Sequence, residues 1–546
     1  MKKVYLGACL TLLLSGCQMT SSWPLIGDDE FVTPGTNQSS ENTNADTDAV
    51  ATSDSEPAQA QPVADDAIVA VEIPTTPQEQ EFLWDRIRDQ LHFVAPEIPR
   101  LQAQRNWYLR NPAYMDRVGK RAEPFLHFIV EEIERRELPL ELALLPIVES
   151  AFDPFAYSHG RASGIWQFIP GTAIHYGLNI NWWYDGRRDV YAATHAALDY
   201  LERLHKFFDG NWLHALAAYN SGEGRVANAV RKNKRQGKPT DFWSLDLPRE
   251  TRAYVPKLLA LADILKHSEK YEFSFYPIAN EAYLDIVTVD SQIDLAMAAE
   301  MAELDLSELH HYNSGYNRWA TAPEGPHRLM LPRANASALR TQLAITNAAD
   351  WLKWERHHVS SGESLLVIAN KYHTTPDVIQ RVNNISGSII RAGDYLLIPV
   401  AARDLDEYSL SADARLAATQ ANPKGKHRVD YQVDAGDTLW DISREYDVNL
   451  RQLAKWNGMA PTDMLRPGQK LAIWLSEAPQ VTPNNRAGVI RGLSYRVRQG
   501  DSLARIAGRF NVTIAEIEKW NKISRLAYLQ PGQQLKLFVD VTNLNI

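Results

Sequence analysis

Cysteine is nearly missing from this chain. Of 546 residues only Cys9 and Cys17 carry a thiol, and both fall within the first 17 positions. The rest of the chain must fold without a disulfide or a thiolate metal site. Histidine at metal-binding spacing is missing too. No His-Glu-x-x-His occurs, and the pairs His310-His311 and His357-His358 are adjacent, so neither pair converges on one helical face. The sequence thus offers no ligand set for a metal or cofactor, and none is expected. Positive charge is in deficit as well. A formal net charge of -10 gives no global reason to bind nucleic acid or an anionic membrane surface. A polymeric partner would have to be held by hydrogen bonds and aromatic stacking. The 15 Trp and 22 Tyr residues could supply this, although core packing is the commoner use of such side chains.

What the chain does have is length and an ordinary apolar content. With 546 residues it is too long for one domain of about 100–200 residues, and 45% hydrophobic residues suffice for several cores. It opens with Met1-Lys2-Lys3 and an apolar run from Val4 to Leu14, too short to span a bilayer. That is the layout of a secretory signal peptide, here residues 1–16. The run ends in Leu14-Ser15-Gly16-Cys17, which resembles the lipobox of bacterial lipoproteins. The resemblance implies cleavage before Cys17 and its acylation. Gln18 in place of Asp implies an outer-membrane anchor facing the periplasm. Residues 17–78 are rich in Ser, Thr, Asn, Asp, Ala and Pro and read as a disordered tether. Such a segment has a root-mean-square reach of about 40–50 Å.

Residues 79–270 read as one all-α domain. Apolar residues recur at three and four, as in Phe125, Phe128, Ile129, Ile133 and again in Leu201, Leu204, Phe207, Phe208. Leu142, Leu145 and Glu149 are spaced to share one face, provided the helix survives Pro146. A carboxylate on an apolar face has its charged form disfavoured, which suits a general acid at neutral pH. On spacing alone, a buried glutamate paired with arginine or capping a helix end is the better reading.

The residues that follow separate these readings. Glu149-Ser150-Ala151-Phe152-Asp153-Pro154 precedes Ser158 and then Gly164-Ile165-Trp166-Gln167-Phe168. Ala217-Ala218-Tyr219-Asn220-Ser221-Gly222 and Pro248-Arg249-Glu250-Thr251-Arg252-Ala253-Tyr254-Val255 come later. Over roughly residues 100–265 this ordered set resembles the soluble-lytic-transglycosylase domain, which has a goose-lysozyme-like α fold. The resemblance implies Glu149 as catalytic acid/base and Ser158 and Gln167 as polar residues lining the cleft. It implies Tyr219 and Asn220 at the cleft floor, with the tyrosine hydroxyl close to the carboxylate. Glu250 and Tyr254 would form a second polar wall. Many family members have Met where this chain has Trp166, a bulkier residue that either meets sugar or belongs to the core.

Ordinary glycosidases need two carboxylates. Asp153 is the close acidic neighbour in sequence, but Pro154 points to a turn there and to Asp153 capping it; Glu250 is a possible second carboxylate from afar. The resemblance implies a one-carboxylate reaction on peptidoglycan glycan strands: cleavage between N-acetylmuramic acid and N-acetylglucosamine with formation of a 1,6-anhydro end. A hydrolytic muramidase on the same fold, or a non-enzymatic wall-binding lipoprotein, are the alternatives.

The C-terminal half repeats itself. His357-x-Val359-x-x-Gly362-Glu363-Ser364-Leu365, Tyr431-x-Val433-x-x-Gly436-Asp437-Thr438-Leu439 and Tyr495-x-Val497-x-x-Gly500-Asp501-Ser502-Leu503 align. Asn383, Asn457 and Asn521 follow at the same offset, and Gly393, Gly468 and Gly532 come after them. Each unit reads strand, two helices, strand, and the three span 355–400, 429–475 and 493–539. They resemble LysM modules, small βααβ domains that bind N-acetylglucosamine-containing glycans. That implies sugar contacts near Gly436, Asp437 and Thr438, near Gly500, Asp501 and Ser502, and at the turn Leu465 to Gly468. Within 271–345, Val289, Gln292, Leu295, Asn313 and Pro332 keep the offsets of a degenerate fourth unit. Residues 402–426 and about 477–492 read as polar linkers, which would leave the later modules as mobile beads gaining by effective concentration. Oligomeric state is not legible in the sequence.

Overall fold

The computed structural model describes residues 76–476 and, with short gaps, 490–540. The signal segment, the lipidation residue Cys17, nearly all of the tether, the second polar linker apart from its last residues, and Gly500 of the third repeat lie outside the described residues. The chain divides into two compact units, Met1–Trp474 and Leu475–Ile546.

The N-terminal part of the first unit is an α-helical domain. Its long helix Pro112–Arg135 starts on a proline, whose missing N–H costs nothing in a first turn. It buries Met115, Val118, Ala122, Phe125, Ile129 and Ile133, the three-and-four stripe expected of a core-facing helix. Val190–Phe207 is capped by Asp189, which accepts from the Ala192 amide, and Trp212–Ser221 is capped by Asn211. Arg249–Lys266 completes the bundle and buries Tyr254, Val255, Leu258, Leu259 and Leu261. These helices share one core, where each fully buried Leu or Phe contributes about 1.5–3 kcal/mol.

The segment before Glu149 differs from its sequence reading. Leu140–Leu144 is a 3-10 turn, and the α-helix starts afresh at Leu145 with Pro146 in its first turn. Pro146 therefore begins the helix, since a proline ring clashes only with a preceding turn. Leu145 and Glu149 share its face, while Leu142 belongs to the turn before it.

Four βααβ units follow. Leu284–Thr288 pairs antiparallel with Arg328–Pro332, Lys353–His358 with Tyr395–Val400, and Ile490–Arg496 with Gln534–Asp540. His427–Gln432 pairs with Lys470–Leu475. One asparagine closes each unit. Asn457 donates to Leu453 O and Ala472 O, both at 2.8–2.9 Å, and accepts from the Ala472 amide at 2.7 Å. Asn313, Asn383 and Asn521 make the same three bonds in their own units. A single side chain thus satisfies the end of the second helix and stitches it to the closing strand.

Residues 402–426 are a correction to the linker reading: they are a packed strap. Tyr408 is fully buried and donates to Asp294, and the Ala402 amide donates to the same carboxylate. Ser411 caps the helix Ala412–Ala421, and the Ala412 amide donates to Asn317 O. The strap looked polar because its buried anchors are few, Tyr408 and Ser411 chief among them, and many of the residues between them are exposed. The first three βααβ units are consequently joined by ordered chain within one compact unit.

Candidate active site

Glu149 is the penultimate residue of the six-residue helix Leu145–Ser150. The chain then reverses through Ala151 and Phe152, both left-handed at φ 53° and 56°, which costs a non-glycine residue roughly 1–2 kcal/mol each. The fully buried Phe152 ring and a hydrogen bond from the Phe152 amide to Pro146 O hold the reversal. Asp153 then accepts from the Phe155 amide at 2.9 Å, capping a turn.

A small hairpin forms the wall opposite. Tyr157 bridges Ser163, and Ser163 bridges Phe168. The Ser150 hydroxyl donates to Ile165 O at 3.0 Å and so ties the Glu149 helix to this wall. Gly164 sits at φ 80°, where an added Cβ would lie 1.8 Å from Arg187 O, so only glycine fits. Behind it the buried pair Asp185–Arg187 holds the hairpin, with Arg187 donating to Arg161 O at 2.6 Å. Ser158 is spent within the wall: its hydroxyl accepts from the Ala162 amide. Gln167, left-handed at φ 49°, donates to Gly164 O. Trp166 belongs to the core: it is fully buried and its indole N–H donates to Thr194.

The other side is built by two helices. Tyr254 donates to Glu149 Oε1 at 2.6 Å. Tyr219 lies close enough for the Glu149 charge to raise its pKa, after burial, but gives its proton to Trp166 O at 2.9 Å. Asn220 accepts from Thr251, fastening the two motifs together. Glu149 itself is half-buried, and its pKa is pushed up to about 7. Loss of solvent is the largest cause; the Tyr254 hydrogen bond opposes it, Glu250 adds to it and Lys257 opposes it. The Lys257 ammonium is held below its usual range by burial, against the pull of Glu149 and Glu250. Sequence reading missed Lys257. Its spacing from Glu250 and Tyr254, i, i+4, i+7 along one helical face, was the available signal.

The residues singled out in the LysM repeats have internal partners. Asp437 accepts from the Asp434 amide at 2.7 Å and from Tyr431 Oη at 2.8 Å. Asp501 does the same with the Arg498 amide and Tyr495. Thr438 and Ser502 cap the first helices by accepting from the Asp441 and Arg505 amides, and Gly436 supplies the turn at φ 99°. Large apolar side chains also stand exposed in these modules: Trp440 and Met464 in the second, and Leu366, Val367 and Ile389 in the first.

Residues 128–242 match the family described as Transglycosylase SLT domain. Residues 283–348 match the Lytic transglycosylase MltD, LysM-like domain. Three stretches, 357–399, 431–474 and 495–538, match the LysM domain. The chain is 39% identical over 462 residues to the membrane-bound lytic murein transglycosylase D of Escherichia coli strain K12, covering 85% of this chain and 86% of that one. It is 30% identical over 171 residues to an autolysin of Enterococcus faecalis, covering 30% of this chain and 22% of that one. Among solved structures, the 70 kDa soluble lytic transglycosylase of Escherichia coli is 19% identical, with a TM-score of 0.24 over 34% of this chain and 32% of that one.

Proposed function

This chain belongs to the membrane-bound lytic murein transglycosylase D family and is a peptidoglycan lytic transglycosylase, and from that premise we propose that Glu149 is its single acid and base. The observation that carries the assignment is the Tyr254–Glu149 hydrogen bond at 2.6 Å on a carboxyl whose pKa stands near 7. With Oε1 accepting from Tyr254, the carboxyl proton sits on the other oxygen. That proton passes to the glycosidic oxygen between N-acetylmuramic acid and N-acetylglucosamine. The C1–O bond breaks through an oxocarbenium-like state, and Tyr254 stabilises the carboxylate left behind. The carboxylate then takes the proton of the muramoyl C6 hydroxyl, and that oxygen closes on C1. The products are a shortened strand and a 1,6-anhydro end, with no water consumed and Glu149 reprotonated.

Gln167, Asn220 and Glu250 complete the polar lining in this reading, with Ser158 and Tyr219 shaping it from behind. The LysM modules hold the glycan: backbone groups at Gly436, Asp437 and Thr438 and the exposed Trp440 and Met464 face it in the second module, and Asp501 and Ser502 shape the same turn in the third. Acylated Cys17 anchors the enzyme to the outer membrane on its periplasmic face, and the tether spans the distance to the wall. The test is the mass of muropeptides released from purified sacculi. Anhydro ends, one water lighter than hydrolytic ones, are expected from the wild type and absent with Glu149→Gln. Hydrolytic masses would overturn the one-carboxylate route, and anhydro product from Glu149→Gln at wild-type rate would overturn the residue assignment.

A further inference from the structure

The second LysM module touches the hairpin that walls the catalytic cleft. Asp463, in the turn between the module's second helix and its closing strand, pairs with Arg161 at 2.8 Å and accepts from Tyr157 Oη at 3.3 Å. Both partners belong to the hairpin that carries Gln167. The same carboxylate accepts from the Ala460 amide at 2.8 Å, so it shapes its own turn while it reaches across. Arg451 and Lys455 of the module also lie near His159 at the hairpin tip, where their charges, after burial, hold the imidazole pKa down.

The strap makes a second attachment. The Arg415 guanidinium stacks 4.3 Å from the ring centre of Phe155, at the base of the hairpin. Five residues on, Gln420 donates to Asn457 and to Lys470 O of the module, at 2.8 and 3.1 Å. Leu416 packs beside Gly458. The module is thus fixed at its rim and from behind, and the turn that meets the hairpin runs directly into Met464, which is 91% exposed. Trp440, across the module at the start of its first helix, is 43% exposed.

We propose that the second LysM module is docked as an extension of the catalytic cleft, so that one glycan strand runs from the module past the hairpin to Glu149, with the Asp463–Arg161 contact setting its register. This rests on reading Glu149 as the acid/base and the module as a glycan holder. The ligand is a peptidoglycan glycan strand long enough to occupy both surfaces. A fragment that fills only the cleft gains nothing from the module.

The experiment compares full-length wild type and Asp463→Asn on long, peptide-trimmed glycan strands and on a murein tetrasaccharide. Asparagine retains an oxygen for the Ala460 amide and removes the charge. For Asp463→Asn we expect KM on long strands to rise about two- to fivefold, the scale of one exposed ion pair. Its kcat on both substrates and its KM on the tetrasaccharide should match wild type. Arg161→Gln should raise the long-strand KM similarly, and the double variant should do no worse than either single one, because both remove one contact. An unchanged long-strand KM in Asp463→Asn would overturn the proposal. So would faster tetrasaccharide turnover, which would mean that the module blocks the cleft. Tetrasaccharide cleavage by Glu149→Gln would instead sink the acid/base reading, and failure of the wild type to sediment with sacculi would sink the glycan-holding one.

Discussion

Two tyrosine–carboxylate pairs of nearly equal length behave in opposite ways. In the catalytic domain Tyr254 donates to Glu149 at 2.6 Å, and in the third LysM module Tyr495 donates to Asp501 at 2.6 Å. The Glu149 carboxyl is raised to about 7, whereas that of Asp501 is held below its ordinary value, first by Tyr495 and then by the Arg498 amide. The tyrosine pulls the same way in both. The difference lies in what surrounds it. Desolvation weighs most on Glu149, which has Glu250 nearby and accepts no backbone amide among its described bonds. Asp501 takes two hydrogen bonds, from the Tyr495 hydroxyl and the Arg498 amide, and has the charges of Arg509 and Arg498 beside it. A hydrogen bond of given geometry therefore does not make a group an acid or a structural anion; desolvation, backbone donors and nearby charge decide.

The contrast can be broken from either side. The largest effect is expected for Glu149→Gln, which removes the proposed proton donor and should lower kcat on sacculi by at least about 10²–10⁴-fold, with wild-type sedimentation on sacculi as the control for binding. Next is the closing asparagine on the LysM side. Asn457→Ala leaves the Ala472 amide and two carbonyls without their side-chain partner and should cost about 2–3 kcal/mol of module stability, measured by denaturant unfolding, with tetrasaccharide turnover unchanged. Tyr254→Phe follows. It removes a bond that strengthens as the carboxylate forms, so kcat should fall about 10- to 100-fold. Because that bond lowers the Glu149 pKa, its loss should also move the alkaline limb of the rate profile above its wild-type position near pH 7; an unmoved limb would detach Tyr254 from the titrating group.

The smallest effect is on stability and tests the sign. Glu149 is raised from an ordinary 4.5 to about 7. Below about pH 4.5 it is protonated in both folded and unfolded chains and has no differential effect. Between about 4.5 and 7 the unfolded chain ionises first, so folding stability falls as pH rises. Glu149→Gln should remove this penalty, making the variant more stable than wild type by about 1–3 kcal/mol at pH 8 and equal to it at pH 4. Thermal melts at the two pH values measure the difference.

Glu149 was legible in the sequence because its partners come in a fixed order on local motifs, each a few residues long. The LysM repeats were legible because each is closed by short-range pairing in a common register. Less legible was whatever depended on distant packing. Trp166 could not be assigned to sugar or core until Thr194, on another helix, was seen to accept its N–H. The strap 402–426 hid because its anchors, Asp294 and Asn317, lie roughly a hundred positions upstream. Lys257 was passed over because a lysine on a mostly apolar helix face carries no motif, and only the folded chain brings it under the field of two carboxylates.

The recurring asparagine has a consequence for how such a chain can grow. The three bonds it makes in every unit begin and end inside that βααβ unit, so a duplicated stretch of gene brings its own fastening with it. Copies can be gained, lost or turned to a new purpose without any neighbour having to change. The unit at Leu284–Pro332 shows one such fate: it has kept Asn313, lost its turn glycine and buried Asp294 against the strap. What began as a repeat has become a joint.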